Sequence, residues 1–70
     1  MKYVVVEIQK NAQGQISNLV TAYDDKAAAE SHYHTILAAA ALATIPIHGA
    51  VIIDETCMPI AWQAYVKDTE

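Results

Sequence analysis

Three histidines and one cysteine are the side chains in this sequence best able to hold a metal or act as a nucleophile, so their spacing decides what chemistry is open to it. Zinc needs ligands that converge at about 2.0 to 2.3 Å. His32 and His34 sit two apart in a stretch that reads as helix; that spacing turns them roughly 200° from one another, so they cannot chelate one ion together. Glu30 and His34, four apart, share a helical face, but a third ligand would have to come from His48 or from another subunit. Glu-x-x-x-His is common by chance, and a hydrogen-bonded surface pair accounts for it as well as a ligand set does. A minimal metal-dependent enzyme built on Glu30, His34 and His48 therefore ranks last among the readings, and no metal or cofactor is expected.

A thiol nucleophile needs a depressed pKa and an oxyanion site. Cys57 lies in a predicted turn, away from any helix N-terminus, with no glycine-rich segment after it; a half-buried turn thiol is expected instead. Ser17 and Ser31 have no motif around them. The acidic pairs Asp24-Asp25 and Asp54-Glu55 fall where a helix start and a turn account for them. With Gly14 and Gly49 the only glycines, there is no loop to cradle a phosphate, and acidic residues occupy the one clear helix N-terminus. No catalytic residue is assigned, and a non-enzymatic role is expected.

The elements that must carry these residues follow from pattern. Residues 2 to 9 are rich in β-branched types, and Asn11-Ala12-Gln13-Gly14 supplies a turn, predicting a hairpin with a second strand over about 15 to 22. A type I turn with a bulge at Gly14 would put Val4, Val6 and Ile8 on one face with Leu19 and Thr21, and Tyr3, Val5, Glu7 and Val20 on the other. A helix is predicted from about Asp25 to Ala43, capped by Asp and stopped by Pro46. Ala29, Tyr33, Ile36, Leu37, Ala40 and Ala43 form its core stripe. Residues 47 to 54, apolar on both faces, predict a central strand; residues 60 to 67 predict the last one, followed by a polar tail. The fold class is α+β, in ββαββ order: a four-stranded, mainly antiparallel sheet with one Ala-rich helix on one face, all 70 residues forming a single domain.

Composition narrows the function classes. Four lysines and no arginine against eight acids give a net charge of −4, too few cations to track a nucleic-acid duplex. At 54% hydrophobic residues the chain collapses rather than staying disordered. Glu7 interrupts the N-terminal apolar run too early for a secretion signal, and the longest apolar runs are far short of the ~20 residues of a membrane span. A cytoplasmic protein with no membrane partner is expected. A chain this small buries only roughly 60% of its surface, and such domains lean on disulfides, a metal or a partner subunit. One cysteine cannot make an internal disulfide, which points to self-association, most simply as a dimer.

From Ala38 to Ala43 the helix is apolar all round, and one sheet covers only one side of it. Ala27, Ala38, Ala41 and Leu42 are therefore candidate oligomer-interface residues. Glu30, Tyr33, His34, His48, Trp62 and Tyr65 are candidates for binding a ligand or a partner. An alternative is a small-molecule "sponge" that sequesters a nucleotide signal at a subunit cleft, stacking it on aromatics and holding its charge with Lys2, Lys26 or Lys67. Through Ala29-Glu30-Ser31-His32-Tyr33-His34-Thr35-Ile36-Leu37-Ala38-Ala39-Ala40-Ala41 and Pro46-Ile47-His48-Gly49-Ala50-Val51-Ile52-Ile53-Asp54-Glu55, the chain resembles a group of bacterial and prophage proteins of roughly 70 residues. The likeness extends over nearly the full length. It transfers no chemistry; Glu30, Tyr33, His34 and His48 are among the matching positions, and a prophage-type accessory, inhibitor or counter-defence protein that contacts a host or phage protein is the expectation.

Overall fold

The computed structural model describes residues 1–67. Strands β1 (Tyr3–Lys10) and β2 (Ile16–Tyr23), helix α1 (Lys26–Leu42), and strands β3 (Ile47–Asp54) and β4 (Pro59–Val66) follow in that order. The strands form one sheet in the order β2-β1-β3-β4, with every neighbouring pair antiparallel. The architecture is thus α+β with the ββαββ order expected, and β3 is central. The polar tail expected at 68–70 lies outside the described residues.

Two local devices build the first hairpin. Asn11 Oδ1 accepts from the amides of Gln13 and Gln15 at 3.0 and 2.9 Å, and Gly14 takes φ 85°. The resulting register pairs Val4 with Ala22, Val6 with Val20 and Val5 with Thr21. The expected faces are therefore corrected: Leu19 and Thr21 lie with Val5 and Glu7, whereas Val20 joins Val4 and Val6. The loop is one residue out of step with the turn assumed from sequence, and a slip of one residue exchanges the faces of a strand.

β2 and β3 run parallel on either side of β1, so α1 is the crossover between them. Its 17 residues span about 25 Å, close to the ~27 Å of an eight-residue strand. Asp25 caps the start, accepting from the Ala27 amide at 3.2 Å. At the far end Lys67 Nζ donates to the carbonyls of Ala40 and Ala41 at 3.0 Å each, and to that of Ala43. A cation there answers both the free carbonyls and the negative end of the helix. Ala29, Tyr33 and Ile36 are buried against Val5, Ala50 and Ile52, with Tyr3, Tyr23, Leu37 and Ala61 around them, and Ala40 is buried one turn further along the helix. Four of the six residues of the expected stripe are buried; Leu37 and Ala43 are half-buried.

β3 and β4 are joined through a turn organised by Asp54, whose Oδ1 accepts from Thr56 N and Met58 N at 2.9 and 3.1 Å and from Thr56 Oγ1. These hydrogen bonds, that from the Thr56 hydroxyl foremost, hold the Asp54 carboxyl below its usual range. Cys57 takes φ 69° in this turn and is exposed, not half-buried as its sequence position suggested. Residues 55–58 are all exposed, as expected of a short connection that runs over the surface.

Candidate functional site

The helix covers one face of the sheet, and the other has no layer on it. Alternation places on that open face Val4, Val6, Ile8 and Lys10 of β1, and Ile16, Asn18, Val20 and Ala22 of β2. Ile47, Gly49, Val51 and Ile53 of β3 and Trp62, Ala64 and Val66 of β4 complete it. Only Lys10 and Asn18 among these are polar, and no acidic side chain is present. Trp62, Ile16 and Val66 are 70%, 68% and 66% exposed. Four strands at ~4.8 Å spacing and ~27 Å length give a footprint of roughly 500 Å². That lies in the range of the largest apolar patch on a typical monomer, about 300 to 600 Å².

A groove of about 290 Å³ crosses this face, walled by Ile8, Ile47, Val51 and Trp62 over the small residues Gly49 and Ala64. Gly49 is required by close approach: a Cβ there would stand 2.6 Å from the Gln63 carbonyl oxygen and 2.7 Å from Ala64 Cβ. The floor of the groove is therefore backbone and one methyl, a shape that accepts a protruding apolar side chain.

On the helix side, the one buried polar side chain among the described residues is His48. Its Nε2 donates to Glu7 Oε2 at 2.6 Å, and Gln9 Nε2 donates to the same oxygen at 3.0 Å. Burial pushes the Glu7 carboxyl up, but the hydrogen bonds from His48 and Gln9, with the histidine charges, outweigh it and hold the group below its ordinary value. His48 Nδ1 is buried without a partner. Ser17 lines a shallow hollow with Glu7 and Gln9, but His48 directs Nε2 at the carboxylate, so no serine–histidine relay is assembled.

The sequence-derived candidates do not converge. Glu30 and His34 are exposed on the outer side of α1, with no hydrogen bond between them; His34 instead meets Tyr33 edge-on, ring centroids 5.3 Å apart. Tyr33 is buried under the helix, where desolvation, with a smaller effect from Tyr65, raises its pKa. Tyr65 is half-buried on the helix side and Trp62 stands on the opposite face. His32 hydrogen-bonds to Tyr23 at 2.9 Å. No three His, Cys, Asp or Glu side chains gather among the described residues. Of the lysines that would hold a nucleotide's charge, Lys2 pairs with Asp24 at 2.6 Å and Lys67 caps the helix. Ala27, Ala38, Ala41 and Leu42 are all exposed, Leu42 to 86%. Sequence reasoning does not single out Glu7 as the partner of His48, because only the pairing of β1 with β3 brings the two together. Among the described residues no helix is long and apolar enough to cross a membrane. No protein-family model, curated protein or solved structure matches the chain.

Proposed function

We propose that the protein is a non-enzymatic binding module that works as a homo-oligomer, two copies packing through the open faces of their sheets. The observation that carries this reading is the uncovered apolar face around Trp62 and Val51. Two such footprints bury about 1,000 Å², the threshold that a biological interface is expected to reach. The second copy fits because the face holds no acidic group: chains of net charge −4 meet there without opposed carboxylates. This interface outranks the helix positions Ala27, Ala38, Ala41 and Leu42, where three methyl groups and one exposed leucine offer less apolar area than the open face. With the sheets back to back, Glu30, His34 and Leu42 point outward on both helices and form the surface available to a host or phage protein.

Light scattering on the purified chain tests the reading. The expected mass is a multiple of 7.6 kDa, and Val51→Lys, which sets an ammonium in the centre of the face, lowers it at least twofold with the fold retained. A well-folded monomer of the unaltered chain at micromolar concentration overturns it.

A further inference from the structure

We infer that the free edge of β2 pairs antiparallel with β2 of a second copy about a two-fold axis at Leu19, joining two sheets into one of eight strands. This rests on the self-association proposed above and adds a second, separately testable contact to it.

The two edges of the sheet are unlike. β4 begins at Pro59 and its register with β3 is interrupted between Ile52 and Ile53, both features that obstruct the addition of a strand. β2 pairs with β1 without interruption over eight positions and contains no proline and no charged residue. It carries none of the devices by which an edge is kept from pairing.

Backbone parity fixes which groups are free. The Asn11 amide donates to the Gln15 carbonyl at 3.0 Å, which makes Asn11 and Gln15 a hydrogen-bonded pair. Because such pairs alternate along an antiparallel ladder, Ser17, Leu19 and Thr21 direct their amides and carbonyls at β1. Ile16, Asn18, Val20 and Ala22 direct theirs outward. An axis at Leu19 brings Ile16 opposite Ala22 and Asn18 opposite Val20 of the other copy, all outward-facing, for about eight interchain hydrogen bonds. Leu19 meets its own symmetry mate in the close, non-hydrogen-bonded position, on the side where α1 leaves it 59% exposed. No like charges are opposed, and the open face continues unbroken across the junction. An uncharged, self-complementary edge in an acidic chain favours a second copy over a strand from a basic or acidic partner.

The test is native mass spectrometry with amide hydrogen exchange on the full chain. With both contacts formed, the unaltered chain is a species of about 30 kDa, four times 7.6 kDa. Leu19→Lys, which opposes two ammonium groups at the axis without touching the open face, halves that mass and speeds exchange at Ile16, Asn18, Val20 and Ala22 at least tenfold. Asn18→Pro removes one outward amide and no bond to β1; it likewise halves the mass and speeds exchange at Ile16, Val20 and Ala22. If these amides exchange freely in the unaltered chain, or Leu19→Lys changes neither mass nor exchange, the edge pairing is refuted. Halving by Val51→Lys alone refutes the edge and keeps the face; halving by Leu19→Lys alone keeps the edge and refutes the face.

Discussion

Trp62 is the single tryptophan of the chain and stands 70% exposed beside the groove on the open face. Its removal costs the isolated fold little and the assembly a great deal. An indole that loses ~150 Å² of exposure on association contributes roughly 4 kcal/mol at ~25 cal/mol per Å², or about 8 kcal/mol for a symmetric pair. Because area converts only partly into affinity, half of that is a working figure. Trp62→Ala should then raise the dissociation constant about 1,000-fold. Sedimentation equilibrium over a wide concentration range measures this, with far-ultraviolet circular dichroism to show an unchanged fold. The unaltered chain supplies its own reporter: dilution through the transition shifts Trp62 emission to the red as the indole enters water. A dissociation constant for Trp62→Ala within about threefold of the unaltered chain, roughly 0.6 kcal/mol, refutes the placement of the interface. So does an emission spectrum of fully solvated indole in the assembled protein.

Three further outcomes follow from local geometry. Gly49→Ala forces its Cβ into the Gln63 carbonyl and Ala64 and should cost about 1 to 3 kcal/mol in urea unfolding. Cys57→Gly releases a left-handed residue at φ 69°, a relief of about 1 to 2 kcal/mol partly offset by the greater freedom of glycine in the unfolded chain, so thermal unfolding should shift upward. Glu7, held below its ordinary 4.5, contributes stability that is complete above that pH and is lost as pH falls through the lower folded value. Glu7→Gln should therefore flatten the acid limb of a stability–pH curve and lower stability at pH 7 by about 1 kcal/mol.

The helix was legible because Ala29, Tyr33, Ile36 and Ala40 repeat at its period between an aspartate cap and a proline stop. β3 was legible as central because both of its faces are apolar. What could not be read was which apolar faces remain uncovered: alternation says that a face is apolar, while only the count of layers says whether anything lies on it. The register of β2 was hidden for a different reason. It depends on the Asn11 side chain gathering the amides of Gln13 and Gln15, a choice among loops of similar sequence. Glu30, His34, His48 and Trp62 drew notice by residue type, but the fold sends them to the outer helix, the core and the open face, so type alone did not mark a common site. Trp62 alone of these lies in the region now indicated, and its neighbours there are mostly valines, isoleucines and small residues that carry no chemical signature.

The order of the strands also sets how the chain must assemble. Each hairpin closes over a short loop, but the central ladder joins Lys10 to Ile47 and Tyr3 to Asp54, contacts across roughly forty to fifty residues that arrive late because a long loop must first be closed. Most of that loop is β2 and α1. When the helix forms it replaces 17 flexible residues with a rod of about 25 Å, returning the chain to the end of the sheet where β3 begins. Substitutions that weaken the helix without touching the core, such as glycine at exposed Ala38 or Ala41, should then slow folding, whereas changes at the Asp54 turn should act mainly on unfolding.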